Sequence, residues 1–277
     1  MFSKVIAAAI VLASVSANAA DNEFFFQSKA GQSDVTARLG LLSTSIKADS
    51  ASDETKYTGL INTGASYEYG INDQFSIEGA LAFTSVEDDS TPKNKTTGLQ
   101  DPTVTLKGTS NMGASTLRYG LGVSLGLQKA KIDGNETSAA TGGYSFNPYV
   151  GMDTEAAGGV IGGRLNYVIK TERTTDVEGF GDVKTKGGNV MGLSAFYETK
   201  VTDITFGGAL NYVSFAETEN ENGTTATDSY NKLGLSAYSV MPMGTFALIP
   251  RLDYDFSNSE ADKYNVIVLS VAGRFNF

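Results

Sequence analysis

The sequence predicts an all-β chain: a transmembrane antiparallel up-and-down β-barrel of about 12 strands spanning residues 35–277. Three observations carry this. An export signal opens the chain, apolar residues recur at every second position through most of the rest, and charged residues inside those runs take the opposite parity.

The export signal occupies residues 1–19. Lys4 supplies the basic start, Val5 to Val15 the apolar run, and Ala17-Asn18-Ala19 the small-residue exit, so cleavage is expected after Ala19. A spanning helix needs roughly 20 apolar residues, and this run has about eleven. It therefore reads as a secretory signal.

Composition narrows the chemistry. Removing residues 1–19 takes away Lys4 alone among the charges, leaving 20 basic and 31 acidic residues, a net of −11. Such acidity argues against a nucleic-acid partner. The chain has no Cys and no His. Disulfide staples, thiolate metal sites and Ser-His or Cys-His nucleophile pairs are thus excluded, and no cofactor or metal is expected. The 31 Gly, 13 Tyr and 15 Phe suit a barrel: small residues within, aromatic girdles at the two interfaces.

In chain order, a weak alternating run lies near Ala37–Leu41. Ile61, Thr63, Ala65, Tyr67 and Tyr69 follow, then Phe75, Ile77, Leu81 and Phe83. After a weak run at Pro102–Leu106 come Leu117, Tyr119, Leu121, Val123, Leu125 and Leu127, then a weak run at Phe146–Met152. The next are Ile161, Leu165, Tyr167, Ile169; Met191, Leu193, Ala195, Tyr197; and Ile204, Phe206, Leu210, Tyr212. Leu233–Ala237, then Phe246, Leu248, Pro250, Leu252, Tyr254, Phe256, and finally Ile267–Phe277 bring the total to twelve.

Connections alternate short and long. The short set is Asn72-Asp73, Asn111-Met112-Gly113, Ala156-Ala157-Gly158, Thr202-Asp203 and Met243-Gly244. Polar loops are expected at Asp49–Lys56, Glu87–Thr97, Asp133–Gly143, Thr174–Gly187, Glu217–Asp228 and Ser257–Lys263. The 258 residues divided by twelve give about 21 per strand and connection, which fits strands of about ten residues.

Arg or Lys on the lipid face near mid-membrane costs roughly 2–4 kcal/mol. Arg38, Arg118, Arg164, Arg251 and Arg274 all oppose the apolar parity of their own strands, as do Lys107, Lys170 and Lys232. The acidic set behaves alike: Glu68, Glu78, Asp101, Asp153, Glu198, Asp253 and Asp255. These fifteen are the candidate pore-lining residues, eight basic and seven acidic, which leaves the acidity in loops and tails. A soluble β-sandwich would show the same parity with inside and outside exchanged, and the export signal, the missing cysteines and the final strand favour the barrel.

That final strand, with Ile267, Leu269, Val271, Phe275 and Phe277 on one face, resembles the C-terminal strand of bacterial outer-membrane barrels. The resemblance implies the outer membrane as location, lipid and lipopolysaccharide as surroundings, and these residues as the signal read by the barrel-assembly machinery. A second, shorter resemblance lies at Gly98-Leu99-Gln100-Asp101-Pro102. It is similar to a strand start in outer-membrane transporter barrels linked to aromatic-compound degradation, departing from that pattern at Gln100.

The mixed charges can serve as struts that close the lumen or as a polar lining for small solutes. Inward glycines (Gly64, Gly120, Gly122, Gly126, Gly162, Gly192, Gly207, Gly234) either leave room along the axis or permit strand twist. Residues 20–34, with Phe24-Phe25-Phe26, are a periplasmic tail or a small plug. The leading function is a narrow channel or porin for small solutes. The alternative is a non-conducting anchor whose loops serve adhesion, receptor or envelope-structural roles. An enzyme is not expected, because barrel lipases and proteases depend on His. Oligomeric state is open.

Overall fold

The computed structural model describes residues 24–48 and 53–277, so the export signal lies outside the described residues. Among them every regular element is a strand, and twelve strands form the wall: β1 (Ser33–Ala48), β2 (Thr55–Gly70), β3 (Phe75–Asp88), β4 (Thr103–Met112), β5 (Ser115–Ser124), β6 (Ser145–Ala156), β7 (Gly159–Lys170), β8 (Val190–Val201), β9 (Ile204–Phe215), β10 (Tyr230–Met243), β11 (Phe246–Asn258) and β12 (Ala261–Asn276). Each pairs antiparallel with the next. The barrel closes where β1 meets β12, from Asp34↔Asn276 to Ala48↔Ala261. Closure leaves no sheet edge with unpaired backbone groups in the hydrocarbon layer.

Alternation sets which way each strand faces. On β8 the outward Met191, Leu193 and Tyr197 are exposed while Gly192, Ser194 and Phe196 are buried. A period-two pattern has this meaning only in a strand, so the apolar runs face outward and the polar ones inward.

The short turns fall within a residue of the expected places, for example Gly113-Ala114, Ala157-Gly158 and Gly244-Thr245. The opposite end differs from expectation. Ser257–Lys263 is no loop: β11 runs to Asn258 and β12 starts at Ala261, leaving a turn at Ser259 and Glu260. Short strands within and beside other stretches expected to be loops extend the wall. Lys95–Leu99 pairs with Glu136–Ser138, Ala130–Asp133 with Arg173–Val177, and Gly181–Gly187 with Thr218–Asn220. Lys129 in this crown has its pKa raised by a 2.6 Å hydrogen bond to Asp182. β1 begins at Ser33, two residues before the expected start, which puts buried Asp34 inside the wall.

One outward assignment is wrong. Ile61 is fully buried on the inner side, because β2 carries an irregularity between Leu60 and Thr63 with Asn62 at φ 47°. The extra residue flips the side-chain parity across it.

Candidate functional site

The lumen is layered. In the half toward the short turns the inner face is charged. Lys107 of β4 sits 2.9 Å from both Glu68 of β2 and Glu78 of β3, all at most about a tenth exposed. Glu68 also accepts from Ser76 Oγ at 2.5 Å. Arg118 donates to Asp153 across the β5–β6 pair at 2.8 Å. Arg164 and Arg274 are buried on the same level.

Midway up, a polar belt runs from strand to strand. Ser194 Oγ donates to Asn211 at 2.8 Å, Asn211 Nδ2 to Ser236 at 2.9 Å, and Ser236 Oγ to Asp253 at 2.6 Å. Arg251 grips Asp253 through Nε and Nη2, the fork geometry that holds a carboxylate in one orientation. Tyr238 donates its hydroxyl proton to Glu198. On the far wall Asn166 Nδ2 donates to Asn147 at 3.3 Å. The sequence reading missed this belt because it followed charges only; Ser194, Asn211 and Ser236 oppose the apolar parity of their own strands and were findable on that ground.

Toward the crown the inner face turns apolar. Leu42, Tyr57, Ile61, Val86, Tyr264, Val266 and Val268 form one buried cluster. Val190, Val213, Phe215 and Tyr230 form another. Lys232 bridges them, its ammonium 5.2 Å from the Tyr264 ring and 5.3 Å from the Phe215 ring. So the parity that marks the inner face does not make it charged throughout: most inward charges lie below this layer, and Lys232 sits within it among rings.

All fifteen charged residues placed inside by parity are buried or half-buried, and none is exposed on the outer surface. The structure joins Lys107 with Glu68 and Glu78, Arg118 with Asp153, and Arg251 with Asp253. Arg38, Lys170 and Asp255 are half-buried on β1, β7 and β11. Asp101 lies at the strand start near the crown, where its carboxylate accepts from Thr141 N at 2.9 Å and Thr141 Oγ1 at 2.6 Å. Its neighbour Gln100 reaches Thr84 at 2.7 Å and Asn62 at 2.8 Å, tying the chain across the β2 irregularity. The expected assembly face, Ile267, Leu269, Val271, Phe275 and Phe277, is exposed on the outer surface.

The inward glycines are covered rather than open. A Cβ on Gly120 would fall 2.5 Å from the Tyr149 ring, one on Gly162 2.6 Å from the Phe196 ring, and one on Gly207 2.3 Å from the Tyr238 ring. Each of these rings therefore covers the glycine opposite it on the adjacent strand. Gly122 meets only ordinary contacts, the nearest 3.4 Å away.

The chain itself enters this lumen. Phe24 is buried and stacks on Phe196 with ring centroids 4.2 Å apart, and Arg164 lies over its ring at 5.2 Å. Among the described residues no group of three or more Asp or Glu is arranged to hold a metal ion.

Comparison with known proteins bears on this geometry. The sequence profile described as outer membrane protein beta-barrel domain matches residues 6–152. No curated protein gives a significant match. Among solved structures, the fold is similar to an outer membrane channel from Pseudomonas putida F1, at 13% identity and TM-score 0.79, covering 93% of this chain and 99% of that one. It is also similar to the translocator domain of the autotransporter NalP from Neisseria meningitidis (12%, TM-score 0.57, 99% and 96% covered). The CymD monoaromatic hydrocarbon channel is a third relative in fold (10%, TM-score 0.51, 90% and 89% covered). At these identities the likeness is one of fold, a closed barrel of the outer-membrane kind.

Proposed function

This chain belongs to the outer membrane protein beta-barrel domain family and resides in the bacterial outer membrane, and from that premise we propose that its lumen is a narrow passage for small solutes. The observation that carries the reading is the placement of the large inward rings. In a narrow barrel, side chains pointing at the axis fill the interior. Here Tyr149, Phe196 and Tyr238 are laid over Gly120, Gly162 and Gly207, along the wall and off the axis.

The lining supports small polar solutes. The belt of Asn, Ser, Asp and Arg offers donors and acceptors at mid-height, and eight basic against seven acidic positions give little net field to select by charge. Most of the charges act as struts of the wall: a buried carboxylate held by Lys107 or Arg251 is oriented and not free to move. For the same reason the reading includes no catalysis, since Asp253 is held in a two-point clamp by Arg251. The outward residues Ile267, Leu269, Val271, Phe275 and Phe277 face outer-membrane lipid and lipopolysaccharide, and on this reading are offered to the assembly machinery.

Purified protein in a planar bilayer tests the proposal. Discrete single-channel steps that shrink as neutral solutes enter the pore are expected. Silence across several salts and solutes, in the wild type and in a variant lacking residues 24–30 alike, would contradict it.

A further inference from the structure

The segment Phe24–Gln32 precedes β1, and its residues 24–28 lie inside the half of the lumen nearest the short turns, which in outer-membrane barrels faces the periplasm. Its contacts go round the barrel. Phe24 packs with Phe196 of β8 and Ala209 of β9, and beneath Arg164 of β7. Phe25 fits against Gly151 of β6, where a Cβ would fall 2.4 Å from its Cζ, and lies under Arg118 of β5 at 5.9 Å. Phe26 lies under Arg274 of β12, 3.6 Å from its ring centre, and its carbonyl accepts from Lys107 of β4 at 3.3 Å. Ser28 N donates to Glu68 of β2 at 3.1 Å. Through these contacts four residues, Phe24, Phe25, Phe26 and Ser28, reach eight of the twelve strands, on opposite sides of the axis.

The attachment is that of a docked piece and not of a woven one. Backbone pairing to the wall is confined to its end, where Gly31 N donates to Gly70 O at 2.8 Å and Gly70 N to Gln32 O at 3.0 Å. Gly31 has φ +72° and open space around its Cα, so the segment turns into the barrel at a residue that tolerates this conformation. Beyond that point it is held by ring faces against guanidinium groups, by the Lys107 and Glu68 contacts, and by one side-chain hydrogen bond to the wall's main chain, from Gln27 Nε2 to Gln74 O at 3.1 Å.

We propose that Phe24–Gln32 is a resident plug of the periplasmic half of the lumen, clamped by Arg118, Arg164 and Arg274 and latched by Lys107 and Glu68, and that its departure about Gly31 opens the path. This rests on the channel reading above. A deletion of residues 24–30 that keeps the export signal, compared with wild type in planar bilayers, tests it. The deleted protein should conduct at least threefold more per channel and close less often. Wild type that conducts as well as the deleted protein overturns the plug while leaving the channel reading standing; silence of both defeats the two together. Should the deletion prevent folding, as read by heat-modifiable migration, the variant Phe24→Ala, Phe25→Ala, Phe26→Ala takes its place. Higher conductance is again expected, and unchanged conductance in the folded variant overturns the proposal.

Discussion

Tyr238 of β10 covers Gly207 of β9, with its hydroxyl donating to Glu198 of β8. The pair fixes both the shape of the wall and the clearance of the axis. Gly207→Val puts carbon where the ring now lies, so Tyr238 must swing inward. Overpacking of this kind costs typically 1–3 kcal/mol. We expect a lower urea midpoint together with a smaller single-channel current, and Tyr238→Ala added to Gly207→Val should restore the current.

Lys107 is the cation between two buried carboxylates. Lys107→Met leaves Glu68 and Glu78 facing one another without it, and breaking a buried pair in this way costs about 3–5 kcal/mol. Equilibrium unfolding in detergent or lipid should show that loss. Adding Glu68→Gln and Glu78→Gln should recover most of it; a triple variant no more stable than Lys107→Met would mean that charge is not the cause.

Asn62 takes a left-handed conformation where β2 slips by a residue. A β-branched side chain is strained there, so Asn62→Val should destabilise by roughly 2 kcal/mol. Asn62→Gly keeps the conformation and loses only the hydrogen bond from Gln100, and it should cost roughly 1 kcal/mol or less. Equal losses in the two variants would show that the hydrogen bond, not the backbone, is the controlling feature.

Leu269 sits near the middle of β12 and is about half exposed on the outer surface. Leu269→Arg should cost roughly 2–4 kcal/mol in a bilayer, the price of a cation at the midplane. Leu269→Met should be close to neutral. An arginine tolerated as well as methionine would place this face away from lipid.

Much of this was legible in the sequence, and the reason is the membrane. Because lipid penalises outward charge, Arg38, Lys107, Arg251 and Asp253 take the parity opposite to the apolar residues, which reads as inward once the export signal and the final strand mark a barrel, and twelve strands follow from the spacing of the runs. The failures have equally physical causes. Val266-Ile267-Val268-Leu269 is apolar on both parities, so the inner apolar layer hides within an outward-facing run. Ile61 points inward through a local twist at Asn62 that no periodicity records. The three consecutive phenylalanines at 24–26 have no period, and only the guanidinium groups around them, brought from distant strands, assign them a place. The crown strands Lys95–Leu99 and Glu136–Ser138 owe their pairing to each other and not to lipid, so alternation does not mark them.

The central claim is that polar inward positions line a path reached by water while their neighbours face lipid. The chain has no cysteine, so single replacements on β10 report one position at a time. With the protein in lipid vesicles, a charged, water-soluble thiol reagent should modify Ser236→Cys in the polar belt and leave Leu235→Cys and Ala237→Cys unmodified. Modification of the outward pair with Ser236→Cys left untouched would contradict the account.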